Sequence, residues 1–94
     1  MNENYNSYVN QGIALFKIKK YEEAIKCYDE AIKINPSSSD VYIHKGDAVF
    51  ELDTYNNHSL AINLYKKAKE INPNNSQADE KINYMMEMIH RMLF

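Results

Sequence analysis

The sequence predicts an all-α fold of antiparallel helix-turn-helix units stacked as a short solenoid, with five helices. Three observations carry that expectation. The chain matches itself: Tyr8, Gly12, Leu15 and Tyr21 recur as Tyr42, Gly46, Val49 and Tyr55 at an offset of 34 residues, and Ala24-Ile25, Tyr28 and Ala31 recur as Ala61-Ile62, Tyr65 and Ala68 at an offset of 37. A self-match with a period between roughly 20 and 50 residues marks stacked supersecondary units. Between these landmarks the apolar residues return at spacings of three and four, the period of a helix with one buried face. Finally, both matched units end on the same breaker, Ile34-Asn35-Pro36 and Ile71-Asn72-Pro73.

The first helix is predicted over residues 5–18, from Tyr8, Val9, Ala14, Leu15 and Ile18. Lys19-Lys20 follows it and suits the negative end of its dipole. The second, over 22–34, follows Tyr21, carries Ala24, Ile25, Tyr28, Ala31 and Ile32 at the same period, and opens on Glu22-Glu23, the favourable charge for a helix N-terminus. Pro36 disfavours helix at Asn35, and Ser37-Ser38-Ser39 supplies hydroxyl caps for a third helix over 39–52. The change of offset places a three-residue insertion near 56–58, most simply Asn56-Asn57-His58, before a fourth helix over 59–71. After Asn72-Pro73-Asn74-Asn75 a fifth helix is predicted over 76–92. Gly12 and Gly46 fall inside helices, where glycine costs roughly 1 kcal/mol against alanine, so each should mark a close contact between helices. Ala24, Ala31, Ala61 and Ala68 let backbones approach while Tyr8, Tyr28, Tyr42 and Tyr65 fill the volume opposite.

Ninety-four residues, 45% hydrophobic and 26% charged, make one domain. Eleven Lys and Arg against 13 Asp and Glu give a net charge of −2, without the clustered basic excess of a nucleic-acid binder. Eight tyrosines offer base-stacking rings, but at least five of them, Tyr8, Tyr21, Tyr28, Tyr42 and Tyr65, occupy packing positions. No run approaches the roughly 20 apolar residues of a membrane span, and the N-terminus has no basic or apolar signal. One cysteine, Cys27, excludes an internal disulfide; the expected setting is cytoplasmic, with no nucleic acid, membrane or cofactor. His44, His58 and His90 belong to no zinc signature and are expected at the surface or a groove edge. Cys27 lies beside Tyr28 with no neighbouring base and is expected to be a half-buried, inert thiol. No phosphate-cradling loop or nucleophile motif is present, so the reading is not an enzyme.

The pattern Tyr8-x2-Gln11-Gly12-x2-Leu15, followed by Tyr21-x2-Ala24, Tyr28, Ala31 and Pro36, resembles the tetratricopeptide repeat, whose landmarks are W-x2-L-G-x2-Y, then A, F or Y, A and P over 34 residues. The resemblance covers a first repeat over about 5–38, a second over about 39–75 with the insertion, and a C-terminal capping helix over about 76–94. Gln11 and Lys45 depart from the family's leucine, and Lys19 and Asp53 from its turn glycine. The resemblance implies a right-handed superhelix whose concave face, built from the first helix of each pair, binds a partner's peptide or helix. Carried over position by position, that groove comprises Asn6, Val9, Asn10, Ile13, Phe16 and Lys17 on the first helix, and Asp40, Ile43, His44, Asp47, Phe50 and Glu51 on the third. Gln77, Glu80, Lys81 and Tyr84 come from the last. Phe16 and Phe50 are either a binding floor or packing between adjacent first helices.

A well-known form of this groove is a two-carboxylate clamp for the acidic C-termini of chaperones, built from Lys, Asn, Asn, Lys and Arg. The resemblance puts Val9, Ile13, His44, Gln77 and Lys81 at those places. One cation among Asp40, Asp47, Glu51 and Glu80 disfavours an acidic tail and favours apolar anchors with basic flanks. A second reading concerns the last helix, where Ile82, Met85, Met86, Ile89, Met92 and Leu93 form an apolar stripe and Met88 and Phe94 lie off it. Excess apolar surface there suggests self-association through Met85, Met88, Met92, Leu93 and Phe94 as a homodimer, or a fragment of a longer co-chaperone-like array.

Overall fold

The computed structural model describes residues 2–52 and 58–93, with side chains for 4–52 and 58–91. They form five helices, α1 (Asn2–Lys17), α2 (Tyr21–Ile34), α3 (Ser39–Leu52), α4 (His58–Ile71) and α5 (Ser76–Leu93), and no strand occurs among the described residues. Each helix packs on its neighbours in sequence, and α1 also touches α3. All five expected helices are present, and α1 begins earlier than residue 5 because nothing in Asn2–Asn4 breaks it.

The glycines act as the self-match implied. A Cβ on Gly12 would lie 2.7 Å from Cδ1 of Tyr28, and one on Gly46 would lie 2.6 Å from Cε1 of Tyr65, so each hairpin closes by laying a buried α2 or α4 tyrosine ring on the glycine of the preceding helix. Ala24, Ala31, Ala61 and Ala68 are fully buried beside them. Two apolar clusters result. Ala24, Tyr28, Ala31, Val41 and Ala48 form the first. Ile43, Val49, Ala61, Ile62, Leu64, Tyr65, Ala68, Ala78 and Met85 form the second.

The turns repeat as well. Lys19, where the family pattern has glycine, adopts the left-handed conformation at φ 66°. It closes α1 with paired bonds, Lys20 N–H to the Leu15 carbonyl at 2.9 Å and Lys19 N–H to the Phe16 carbonyl at 2.9 Å. Asn35 and Asn72 each accept from the backbone N–H two residues on, at 3.1 Å, and so tighten the Asn-Pro turns. Asn75 caps α5 by accepting from Gln77 N–H at 3.1 Å.

Ser39, expected as a cap, instead donates its buried hydroxyl to the Ala68 carbonyl at 2.7 Å and accepts from Asn75 Nδ2 at 2.8 Å, fastening the start of α3 to the α4–α5 turn. The Tyr5 hydroxyl does the same in the first hairpin by donating to Ser38.

Four side chains depart from expectation. His58 is buried at the first position of α4, with its ring edge-on to Phe50 at 5.8 Å; the rest of the expected insertion, Asn56-Asn57, lies outside the described residues. The stripe of α5 runs through Ala78, Ile82, Met85 and Ile89 with Met88 on its margin, while Met86 is exposed. Met88 therefore belongs to the packed face and Met86 does not, the reverse of the expected stripe, which is rotated about the helix. Met85 is 1% exposed, so its side chain covers the second hairpin and is not available to a second copy. The side chains of Met92 and Leu93, and all of Phe94, lie outside the described residues.

Candidate functional site

The helical period sets one face of α1 beside one face of α3, and α5 adds a third wall. Two pockets open where these walls meet. Ile13, Phe16, Lys17, Tyr28, His44 and Asp47 line the first, between α1 and α3, of about 200 Å³. The second, between α3 and α5, is of about 290 Å³ and is lined by Phe16, Asp47, Phe50, Glu51, Tyr65, Lys81, Tyr84 and Met85. Phe16 and Asp47 belong to both, so the two form one continuous groove.

Asp47 is the hub of that groove. Its Oδ1 accepts from the Tyr65 hydroxyl at 2.6 Å and pairs with Lys81 Nζ at 3.0 Å. Burial, the bond to Asp47, and the charges of Asp47 and Glu51 together push the Tyr65 phenol far above its ordinary value, which keeps it a donor. Tyr28 is pushed up to about 12, by burial first and then by the charges of Asp47 and Cys27. Its ring stacks on His44 with centroids 5.7 Å apart.

Of the residues singled out by sequence, Ile13, Phe16, Lys17, His44, Asp47, Phe50, Glu51, Lys81 and Tyr84 come together around these pockets. Ile43 does not: at 2% exposure it is buried against α4, because one residue of helix turns its side chain away from the face that His44 shares. Asn6 and Asn10 are exposed and Val9 is half-buried, and none lines either of the two pockets. The Asp40 carboxylate accepts from Asn75 Nδ2 at 3.2 Å, which ties it to the α4–α5 turn. Phe16 and Phe50 are each half-buried, with Phe16 edge-on to Tyr21 at 5.3 Å and Phe50 edge-on to His58 at 5.8 Å, and each also lines the α3–α5 pocket.

Sequence reasoning missed Tyr28, Tyr65 and Met85 as lining residues. A signal for the tyrosines was present. Gly12 and Gly46 directly precede Ile13 and Asp47, so a ring laid over the glycine carries its hydroxyl through to the groove floor.

Cys27 is half-buried, and burial followed by the Glu23 charge raises its thiol, the opposite of an activated nucleophile. Among the described residues no group of three His, Cys, Asp or Glu side chains is placed to hold a metal ion. No helix among them is long and apolar enough to cross a membrane.

The sequence model of the tetratricopeptide repeat matches residues 5–38. The chain belongs to the tetratricopeptide repeat family. The Protein STIP1 homolog of Dictyostelium discoideum is 38% identical over 64 residues, which is 68% of this chain and 11% of that protein. The chain thus spans about a tenth of that relative's length. Among solved structures, the second tetratricopeptide domain of human RPAP3, in complex with the HSP70 peptide SGPTIEEVD, superposes with a TM-score of 0.78 at 27% identity, covering 87% of this chain and 66% of that one. The first such domain of Spaghetti, bound to the HSP90 peptide SRMEEVD, has a TM-score of 0.56 at 20% identity and covers 96% of each chain, a likeness of fold alone. These tetratricopeptide domains share the helix-hairpin packing of α1–α5.

Proposed function

We propose that this chain is a protein-interaction module that holds a peptide or helical segment of a partner along the groove between α1, α3 and α5, and that it has no catalytic role. The observation that carries this reading is the continuity of the two pockets through Phe16 and Asp47, which offers adjacent seats for successive side chains of one ligand. Both structural neighbours hold peptides, which supports the same use of the fold. Exposed aromatic surface in a groove is also where interface energy concentrates, and Tyr84 is 58% exposed while lining the larger pocket.

The test is a phage-display selection of peptides against the 94-residue chain, followed by titration of the best peptide. Tyr84→Ala should weaken it at least about tenfold, the cost of losing an aromatic anchor. Leu60→Ala, at an exposed position of α4, should leave it unchanged. Selected peptides indifferent to Tyr84→Ala and sensitive to Leu60→Ala would overturn the groove reading.

A further inference from the structure

The charge of the larger pocket runs opposite to what the neighbours' peptides need. SGPTIEEVD and SRMEEVD each bring a cluster of carboxylates. The pocket between α3 and α5 already holds two, Asp47 and Glu51, against a single ammonium, Lys81, which is engaged with Asp47 at 3.0 Å. Among the described residues Glu51 enters no ion pair. An acidic ligand would bring like charges together at a site with no unengaged cation, which costs affinity and discriminates against it. A monovalent cation would make the lining neutral.

The shape of the site narrows which cation. Both bonds to Asp47 land on Oδ1, so the second carboxylate oxygen takes no part in them. Four rings, Phe16, Phe50, Tyr65 and Tyr84, line the same pocket beside the two carboxylates. Carboxylates beside aromatic rings suit a planar guanidinium, which forks onto carboxylate oxygens and stacks on rings; an ammonium offers only a compact point charge, and Lys81 supplies that already. In the adjoining pocket Ile13, Phe16 and the Tyr28 ring give apolar walls beside Lys17, His44 and the shared Asp47.

We propose that the α3–α5 pocket is an arginine seat: a partner peptide sets a guanidinium against Asp47 and Glu51 between the groove rings, and a neighbouring apolar side chain in the α1–α3 pocket. This rests on the peptide-binding reading and assigns its ligand class. The motif is an arginine beside an aliphatic or aromatic residue. Lys81 is then the resident cation that the ligand's arginine competes with for Asp47.

The competition gives a test whose sign differs between ligand classes. Capped peptides carrying Leu and Arg one to four residues apart in a Gly-Ser background are compared with versions holding Lys, citrulline or Glu in place of Arg, and with SGPTIEEVD and SRMEEVD. The Arg peptides should bind best, with citrulline weakening them about tenfold, the scale of a lost charge-assisted bond. Asp47→Asn and Glu51→Gln should each weaken the Arg peptides several-fold. Glu51 is exposed, so its variant keeps the test valid even where the Asp47 change disturbs Tyr65. Lys81→Ala should strengthen them.

Tighter binding of the two acidic peptides, or weaker Arg-peptide binding by Lys81→Ala, overturns the arginine seat. If Arg peptides fail while other peptides bind in a Tyr84-dependent manner, the seat is wrong and the groove reading stands. If no peptide shows dependence on Tyr84, both fall.

Discussion

Replacing Gly46 by alanine sets two effects of opposite sign against each other. Alanine inside a helix gains roughly 1 kcal/mol over glycine, so propensity alone forecasts a more stable protein. The new Cβ, however, would lie 2.6 Å from Cε1, 3.0 Å from Cδ1 and 3.1 Å from Cζ of Tyr65. Carbon atoms settle at about 3.5–4.0 Å, so the ring must retreat by on the order of 1 Å. It has little room: Tyr65 is 2% exposed and its hydroxyl is held by Asp47 at 2.6 Å. Overpacking of a filled core costs about 1–3 kcal/mol, and a hydrogen bond to a charged group that the shift would weaken is worth about 1.5–3 kcal/mol. The clash should win, for a net loss of about 1–3 kcal/mol. Each kcal/mol lowers the Tm of a domain this size by about 4–8 °C. Thermal and urea unfolding followed by circular dichroism measure it. In a Tyr65→Leu background, where the ring is gone, the same change should become neutral or stabilising. A Gly46→Ala protein as stable as the parent would refute the argument that the tyrosine ring is why glycine stands there.

Lys19 is held at φ 66°, a conformation costing a non-glycine residue roughly 1 kcal/mol, so Lys19→Gly should raise the Tm by a few degrees, and an unchanged or lower Tm would show that the turn is unstrained. Alkali should destabilise the fold, because the Tyr28 phenol is pushed up to about 12 in the folded state from an ordinary value of 10.0 and Tyr65 is raised further. The sign follows from linkage: the folded form prefers the protonated phenol, so this stability is full below about pH 10 and lost as pH rises toward and past 12. Tyr28→Phe should flatten the fall between those values, and an identical urea-midpoint profile for the variant would contradict the assignment.

The five helices were legible because their landmarks act locally. A small residue opposite a tyrosine, and an Asn-Pro stop, leave a periodic trace that a self-match detects. The groove was legible only as a direction. The family resemblance put Ile13, Phe16, His44, Asp47 and Phe50 on one side, but it did not tell Ile43, which is buried in the second apolar cluster, from His44 beside it. Long-range pairings left no trace at all: the Asp47–Lys81 contact joins residues on different hairpins, and the Ser39–Ala68 and Ser39–Asn75 bonds use side chains that local rules assign to capping. The apolar residues of α5 spread so far round the helix that the sequence reading puts Met86 in the stripe and Met88 off it, the reverse of the packing found. The packing of Met88 against the second apolar cluster decides it.

The central claim is that a peptide lies in the groove between α1, α3 and α5, and chemical-shift mapping tests it most directly. Titrating the 15N-labelled chain with a phage-selected peptide should move the amide signals of Phe16, Asp47, Phe50, Glu51, Lys81 and Tyr84 while those of exposed Lys26, Lys33, Lys66 and Glu70 on α2 and α4 stay in place. Shifts confined to α2 and α4, with the groove residues unmoved, would contradict the account.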